Sequence, residues 1–175
     1  MSMLELSTQP SKPRPRPIFI YGTLRALPLL AWVLTGDASK VRDISRLVQP
    51  ARIYGYARFS VKNCDYPAVI KHEPQSSVDG YLLTVETTCQ RKKLDDFEGE
   101  TYKLASVAVN VFDENSPKHT RIVEADIYLW AGDENALTAS SWELKRFEEE
   151  RLEDWLDIFA GIEFIGDAEE STTTS

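Results

Sequence analysis

Two short stretches of this chain combine side chains and backbone suited to chemistry. The first is "LDDFEGETY", residues 94–102, whose acids are Asp95, Asp96, Glu98 and Glu100. A run of acids is ordinarily a solvated face, and the spacing does not meet that of a calcium-binding EF-hand loop. Asp95, Asp96 and Glu100 are read in that way. Glu98 differs, because it sits between Phe97 and Gly99 near the expected end of a helix. The helix dipole is negative there and mildly destabilises a carboxylate. Partial burial beside Phe97 raises its pKa further. Both effects move Glu98 towards the strength of a general base useful near neutral pH. The second stretch is "YGTL", Tyr21, Gly22, Thr23 and Leu24, which follows the apolar run "IFI". Two readings of it are open. It is an ordinary turn, or a bend whose successive N–H groups form a concave site for an anion or carbonyl, with the Thr23 hydroxyl beside them.

Other chemistries find little support. The chain has no GxSxG, Walker A or GxGxxG pattern. Its two histidines, His72 and His119, stand in polar, turn-like settings, and His72 reads as a surface residue. That argues against a histidine-based metal site or a Ser-His-Asp triad. A carboxylate is the best candidate acid or base.

The elements that must position these groups follow from patterning. The chain has 175 residues, 42% of them hydrophobic, which suits one domain with a sizeable core and small appendages. A net charge of −8 argues against a nucleic-acid partner or an anionic membrane surface. The apolar runs are too short to span a bilayer and the N-terminus shows no signal core, so a cytoplasmic address is expected. Cys64 and Cys89 lack CxxC spacing and read as free thiols.

Residues 1–17 contain "QPSKPRPRP" and read as an extended, disordered arm. Order is expected from Ile18. A strand over "IFIYG" leads to a helix from near Pro28 that closes at Gly36. "ARIYGYARFSV" reads as a strand bent at Gly55. "YPAVIKHE" and "VDGYLLTVE" read as strands. Thr87 and Gln90 have capping-box spacing for a helix that ends at Gly99. "YKLASVAVNVF" reads as a strand, "SPKHTR" as a turn and "IVEADIYLWAG" as the last strand. Ser140 and Glu143 repeat the capping-box spacing, which predicts one long amphipathic helix to Ala160, closed by Gly161, with Trp142, Phe147, Trp155 and Phe159 on an apolar face that packs on the barrel, a partner surface being the other reading. A polar tail follows. Clustered strands without regular alternation predict an α+β fold with a mixed sheet or small barrel.

The two chemical stretches, with their order and surroundings, resemble the gamma-glutamylcyclotransferase-like family, which includes gamma-glutamylamine cyclotransferases and plant avirulence-responsive proteins. The matching segments are "FIYGTL", "ARIYGYARFSV", "DYPAVI", "SVDGYLLTV", "LDDFEGETY", "VAVNV" and "ADIYLW". They cover about residues 18–131, which the resemblance sets apart as the domain. An arm over 1–17, a helical extension over 132–162 and a tail over 163–175 flank it. The resemblance implies a small mixed β-barrel with flanking helices and a pocket at one end. It also implies a substrate loop at Tyr21, Gly22, Thr23 and Leu24, a catalytic Glu98, and pocket-lining Tyr66 and Tyr128.

The reaction so implied is closure of a γ-glutamyl arm on itself. Its α-amine attacks its γ-carbonyl, giving 5-oxoproline and a released amine or amino acid. Glu98 takes the proton, the 21–24 backbone grips the glutamyl end, and neither metal nor organic cofactor is required. The implied partner is a small-molecule gamma-glutamyl substrate. The leaving group and the oligomeric state are not legible. Two further readings share the pocket: an enzyme of specialised biosynthesis that removes a gamma-glutamyl group from an intermediate, and a non-catalytic small-molecule-binding protein. A base is not needed for binding alone, which favours catalysis.

Overall fold

Ile18, Phe19 and Ile20 are apolar at consecutive positions, a pattern that suits a strand buried on both faces. The computed structural model describes residues 14–113 and 115–160, and in it these residues form β1 (Ile18–Ile20), with all three side chains buried. Phe19 points into the barrel with Ile53, Leu82, Val109 and Ile127. Ile18 and Ile20 point the other way, against helix residues Leu29, Leu30 and Leu94.

The barrel is closed and five-stranded. In spatial order it runs β1, β5 (Ser77–Leu83), β2 (Val48–Tyr54), β6 (Tyr102–Asp113) and β7 (Ser116–Trp130). β7 pairs in parallel with β1 to close it, with Phe19 opposite Ile127; the other ladders are antiparallel. Closure leaves no barrel edge unpaired. Gly80 permits the approach of β5 to β1, because a Cβ there would lie 2.3 Å from the Ile20 carbonyl oxygen. A second sheet holds β4 (Pro67–Lys71), β3 (Tyr56–Val61) and β8 (Leu137–Thr138), in that order. This is the expected α+β barrel with flanking helices.

Several local expectations hold. α1 (Leu27–Thr35) carries Pro28 in its first turn and closes on Gly36, at φ 78°. α3 (Thr88–Glu98) is capped by Thr87, whose hydroxyl accepts from the Gln90 N–H at 3.1 Å. Gln90 reaches back to the Glu86 N–H at 2.8 Å. Between α1 and β2 lies the short α2 (Val41–Ser45). Both cysteines are free and exposed, and His72 is on the surface.

Other expectations are corrected. Gly55, at φ 84°, does more than bend a strand, since β2 belongs to the barrel and β3 to the second sheet. "SPKHTR" is not a plain turn: β7 begins at Ser116, and the register jumps there from Phe112–Thr120 to Asp113–Ser116. Order also reaches back into the proline-rich arm. Arg16 pairs with Asp126 at 3.2 Å, and the Pro17 carbonyl accepts from the Asp126 N–H. Residues 1–13, Gly161 and the polar tail lie outside the described residues.

The single long helix from Ser140 is also corrected. It is two helices, α4 (Leu144–Glu150) and α5 (Leu152–Ala160), parted at Arg151, and Glu143 rather than Ser140 stands at the start of α4. The break lets three side chains converge on Asp65. Trp142 Nε1 donates to the Asp65 carbonyl at 2.7 Å, while Trp155 Nε1 and Arg151 Nε reach Asp65 Oδ2 at 2.8 and 3.0 Å. As expected, the apolar face packs on the body of the protein, with Phe147 only 3% exposed. No described helix is long and apolar enough to cross a membrane.

Candidate active site

At the end of β1 the chain cannot continue as a strand, because Gly22 is followed by a tight 3-10 turn, Thr23–Arg25. Gly22 has φ −127°, so it does not use the left-handed freedom of glycine. Its constraint is steric: a Cβ there would meet the Pro67 ring at 2.9 Å. The turn's hydrogen bonds come from the N–H groups of Arg25 and Ala26. The N–H groups of Thr23 and Leu24 therefore have no acceptor within the turn, as at the start of any helical segment. Arg58 fixes the loop from behind, donating to the Tyr21 carbonyl at 2.7 Å.

The loop forms one wall of a cavity of about 340 Å³. Glu98, the last residue of α3, lies on another. Gly99, at φ 67° and ψ −159°, lets the chain leave the helix at once, through the turn Gly99–Thr101, into β6. The Glu98 carboxyl is thereby left in the cavity wall. Its pKa is pushed up to about 8, first by burial and then by the charge of Asp95. The expected direction holds.

Tyrosines surround the carboxyl. Tyr21 donates its hydroxyl to the Tyr128 carbonyl, and Tyr128 donates to Asp95 Oδ1 at 2.5 Å. Tyr102 donates to the Pro67 carbonyl at 2.9 Å. Burial holds the hydroxyls of Tyr21, Tyr102 and Tyr128 well above the usual tyrosine range, so all three are neutral donors at neutral pH. Tyr66 is pushed up to about 12, chiefly by a hydrogen bond with Cys64.

All seven residues singled out in the sequence, Tyr21, Gly22, Thr23, Leu24, Tyr66, Glu98 and Tyr128, line this cavity. Asp95 is exposed, as read, but its carboxylate also has partners. It anchors Tyr128, and Arg91 Nε meets it at 3.1 Å. Arg91 also meets Asp126 at 2.8 Å, so Asp95 belongs to a network that ties α3 to β7. Asp96 and Glu100 are exposed, as read.

Sequence reasoning missed Pro67, Phe97, Thr101, Tyr102, Trp155 and Phe159 as cavity residues. Tyr102 closes the "LDDFEGETY" stretch and carried a signal. Trp155 and Phe159 read only as a buried stripe, because nothing local says which surface a stripe covers. Among the described residues, no group of three or more His, Cys, Asp or Glu could hold a metal ion. The cavity thus brings together a carboxyl of raised pKa and a loop with N–H groups that its own turn leaves unbonded.

Known proteins share this architecture. "Protein AIG2 C" of Arabidopsis thaliana is 24% identical over 149 residues, covering 85% of this chain and 82% of that protein. A solution structure of another Arabidopsis thaliana protein superposes with a TM-score of 0.56 at 20% identity, covering 93% of this chain and 88% of its own. A yeast gamma-glutamyl cyclotransferase specific to glutathione superposes with a TM-score of 0.51 at 14% identity, over 74% of each chain. At these identities the structures establish the fold. The family described as "Gamma-glutamyl cyclotransferase, AIG2-like" matches residues 18–155, from the first strand of the barrel into the helix that carries Trp155. On that match the chain belongs to the AIG2-like gamma-glutamyl cyclotransferase family.

Proposed function

We propose that the protein is a gamma-glutamyl cyclotransferase acting on a small-molecule gamma-glutamyl substrate in the cytoplasm. The observation that carries this reading is that Glu98 and the 21–24 loop line one and the same cavity. The substrate's α-carboxylate and γ-carbonyl are the groups that main-chain N–H donors would hold. Holding both ends folds the arm, so the α-nitrogen meets the γ-carbon. Orientation of this kind supplies several kcal/mol of the barrier.

Glu98 takes a proton from the α-amine as the new N–C bond forms. The same proton then goes to the leaving nitrogen as the old C–N bond breaks. The products are 5-oxoproline and a free amine. A carboxyl of pKa about 8 is close to the ordinary α-amino range of about 8, so the transfer between them is nearly balanced. Loop N–H groups are the available donors to the oxyanion, because the hydroxyls of Tyr21, Tyr102 and Tyr128 already donate within the protein. Proton transfer and intramolecular attack make up all the covalent chemistry, so the reaction as proposed uses no cofactor.

The test is release of 5-oxoproline from a panel of gamma-glutamyl dipeptides, gamma-glutamyl amines and glutathione, with Glu98→Gln as control. Release that depends on Glu98 is expected. Measurable ligand binding without release would instead make this a binding protein.

A further inference from the structure

We propose that the outer wall of the cavity is a subsite for an aromatic or bulky apolar leaving amine. The preferred substrates are then gamma-glutamyl amides of such amines rather than gamma-glutamyl peptides. This rests on the cyclotransferase reading above. The glutamyl arm is accounted for by the 21–24 loop and Glu98. The remaining wall is dominated by Tyr66, Phe97, Tyr102, Trp155 and Phe159.

These rings form one continuous set. Phe97 lies 5.6 Å from Phe159 and 6.5 Å from Trp155, and Trp155 lies 5.8 Å from Phe159 and 6.5 Å from Tyr66, all tilted or edge-on. Such separations are those at which aromatic pairs attract. Each of the five rings is only half-buried, so the set presents apolar surface to the cavity that the other described residues do not cover. A ligand ring would cover it.

Charge points the same way. Glu98 is the one charged residue among the described residues that line the cavity, and there is no Lys, Arg or His. A peptide leaving group brings a carboxylate, which would be buried without a cation, and that is strongly unfavourable. Three arginines of neighbouring elements do not line it: Arg25 lies over the Tyr81 ring, 5.5 Å from its centroid, and the other two are bonded elsewhere. Arg58 is bonded to the carbonyls of Tyr21 and Asp79, and Arg151 to Asp65 and Asp154. The volume, about 340 Å³, lies at the lower end of small-molecule sites, roughly 300–1,000 Å³. It suits a glutamyl arm with one ring-sized group.

The experiment compares four compounds: the gamma-glutamyl amides of 2-phenylethylamine and ethylamine, gamma-glutamyl-phenylalanine, and glutathione. Release of 5-oxoproline is measured with the full chain, and calorimetric binding with Glu98→Gln. The phenylethyl amide should exceed the ethyl amide in kcat/KM by about 10–100-fold, the worth of one buried ring. It should also exceed gamma-glutamyl-phenylalanine, which differs from it only by the carboxylate, and glutathione. Trp155→Ala should collapse the phenylethyl-to-ethyl ratio, and Trp155→Phe should retain most of it. The ranking with the unaltered chain stands even if Trp155→Ala does not fold. Glutathione or gamma-glutamyl-phenylalanine turned over as well as the phenylethyl amide, with Glu98→Gln inactive, would overturn the subsite and leave the cyclotransferase reading intact. If no compound is turned over, tighter binding of the phenylethyl amide supports the subsite and removes the reaction. Binding of none of the four overturns both.

Discussion

Replacing Glu98 by glutamine tests the site before any substrate is known, because the buried carboxyl makes stability depend on pH. Its pKa is about 8 folded against an ordinary 4.5, so the folded state retains a proton that the unfolded chain has lost. A carboxyl raised in this way weakens folding as pH climbs above the unfolded value, and the loss levels off above the folded one. Between those two values the wild-type protein loses a few kcal/mol through this group alone, the larger part of it between pH 5 and pH 7. The remainder is lost by pH 9. Glu98→Gln has no proton to lose there. Any constant effect of the amide drops out, because only the difference in pH slope is read. Urea unfolding of both proteins at pH 5, 7 and 9, without ligand, should show the variant gaining on wild type by about these amounts. Parallel profiles would mean that Glu98 is solvated, and the argument for its raised basicity would fail. Turnover should fall with the same substitution by a factor of about 10²–10⁴, the usual loss for a general base. In wild type, kcat/KM should rise with pH as Glu98 ionises.

Other substitutions probe the surroundings. Asp95→Asn removes a charge that raises the Glu98 pKa, so the acid limb of the kcat/KM profile should move to lower pH; Asp96→Asn and Glu100→Gln should leave that limb in place. Gly22→Val puts side-chain atoms against Pro67, and should raise KM or abolish turnover with a smaller effect on unfolding; wild-type turnover would make the loop a plain turn. Phe147→Ala should lower stability by about 3–5 kcal/mol in denaturant unfolding if α4 is docked. Gly80→Ala should destabilise by about 1–3 kcal/mol or more, since its Cβ meets backbone rather than a movable side chain.

Much of the site was legible because it is local. The "YGTL" bend, the Thr87 cap and the Gly99 exit each follow from residues within a few positions of one another. The raised basicity of Glu98 was legible in direction because its neighbours Phe97 and Gly99 announce burial and a helix end. What was not legible depends on distant partners. Gly55 signals a bend, but that β2 and β3 enter different sheets depends on β8, more than 70 residues further on. The role of Asp95 requires Tyr128, and the break at Arg151 requires Asp65. The apolar stripe of the last helix correctly announced packing. It gave no sign that two of its rings face a cavity, because burial in a core and burial around a vacancy produce the same pattern.

The Asp65 clamp has an evolutionary consequence. Glu98 and the 21–24 loop are built on the barrel and its α3 helix, whereas Trp155 and Phe159 arrive from the last described helix, Trp155 held by Asp65 next to Tyr66 and Phe159 stacked on Trp32 at 5.3 Å. The groups proposed for reactivity and for selectivity thus come from separate stretches of the chain. Substitution of the cavity-facing rings alone would reshape the outer wall, whereas Phe147 of the same segment is fixed by its packing against the core of the protein.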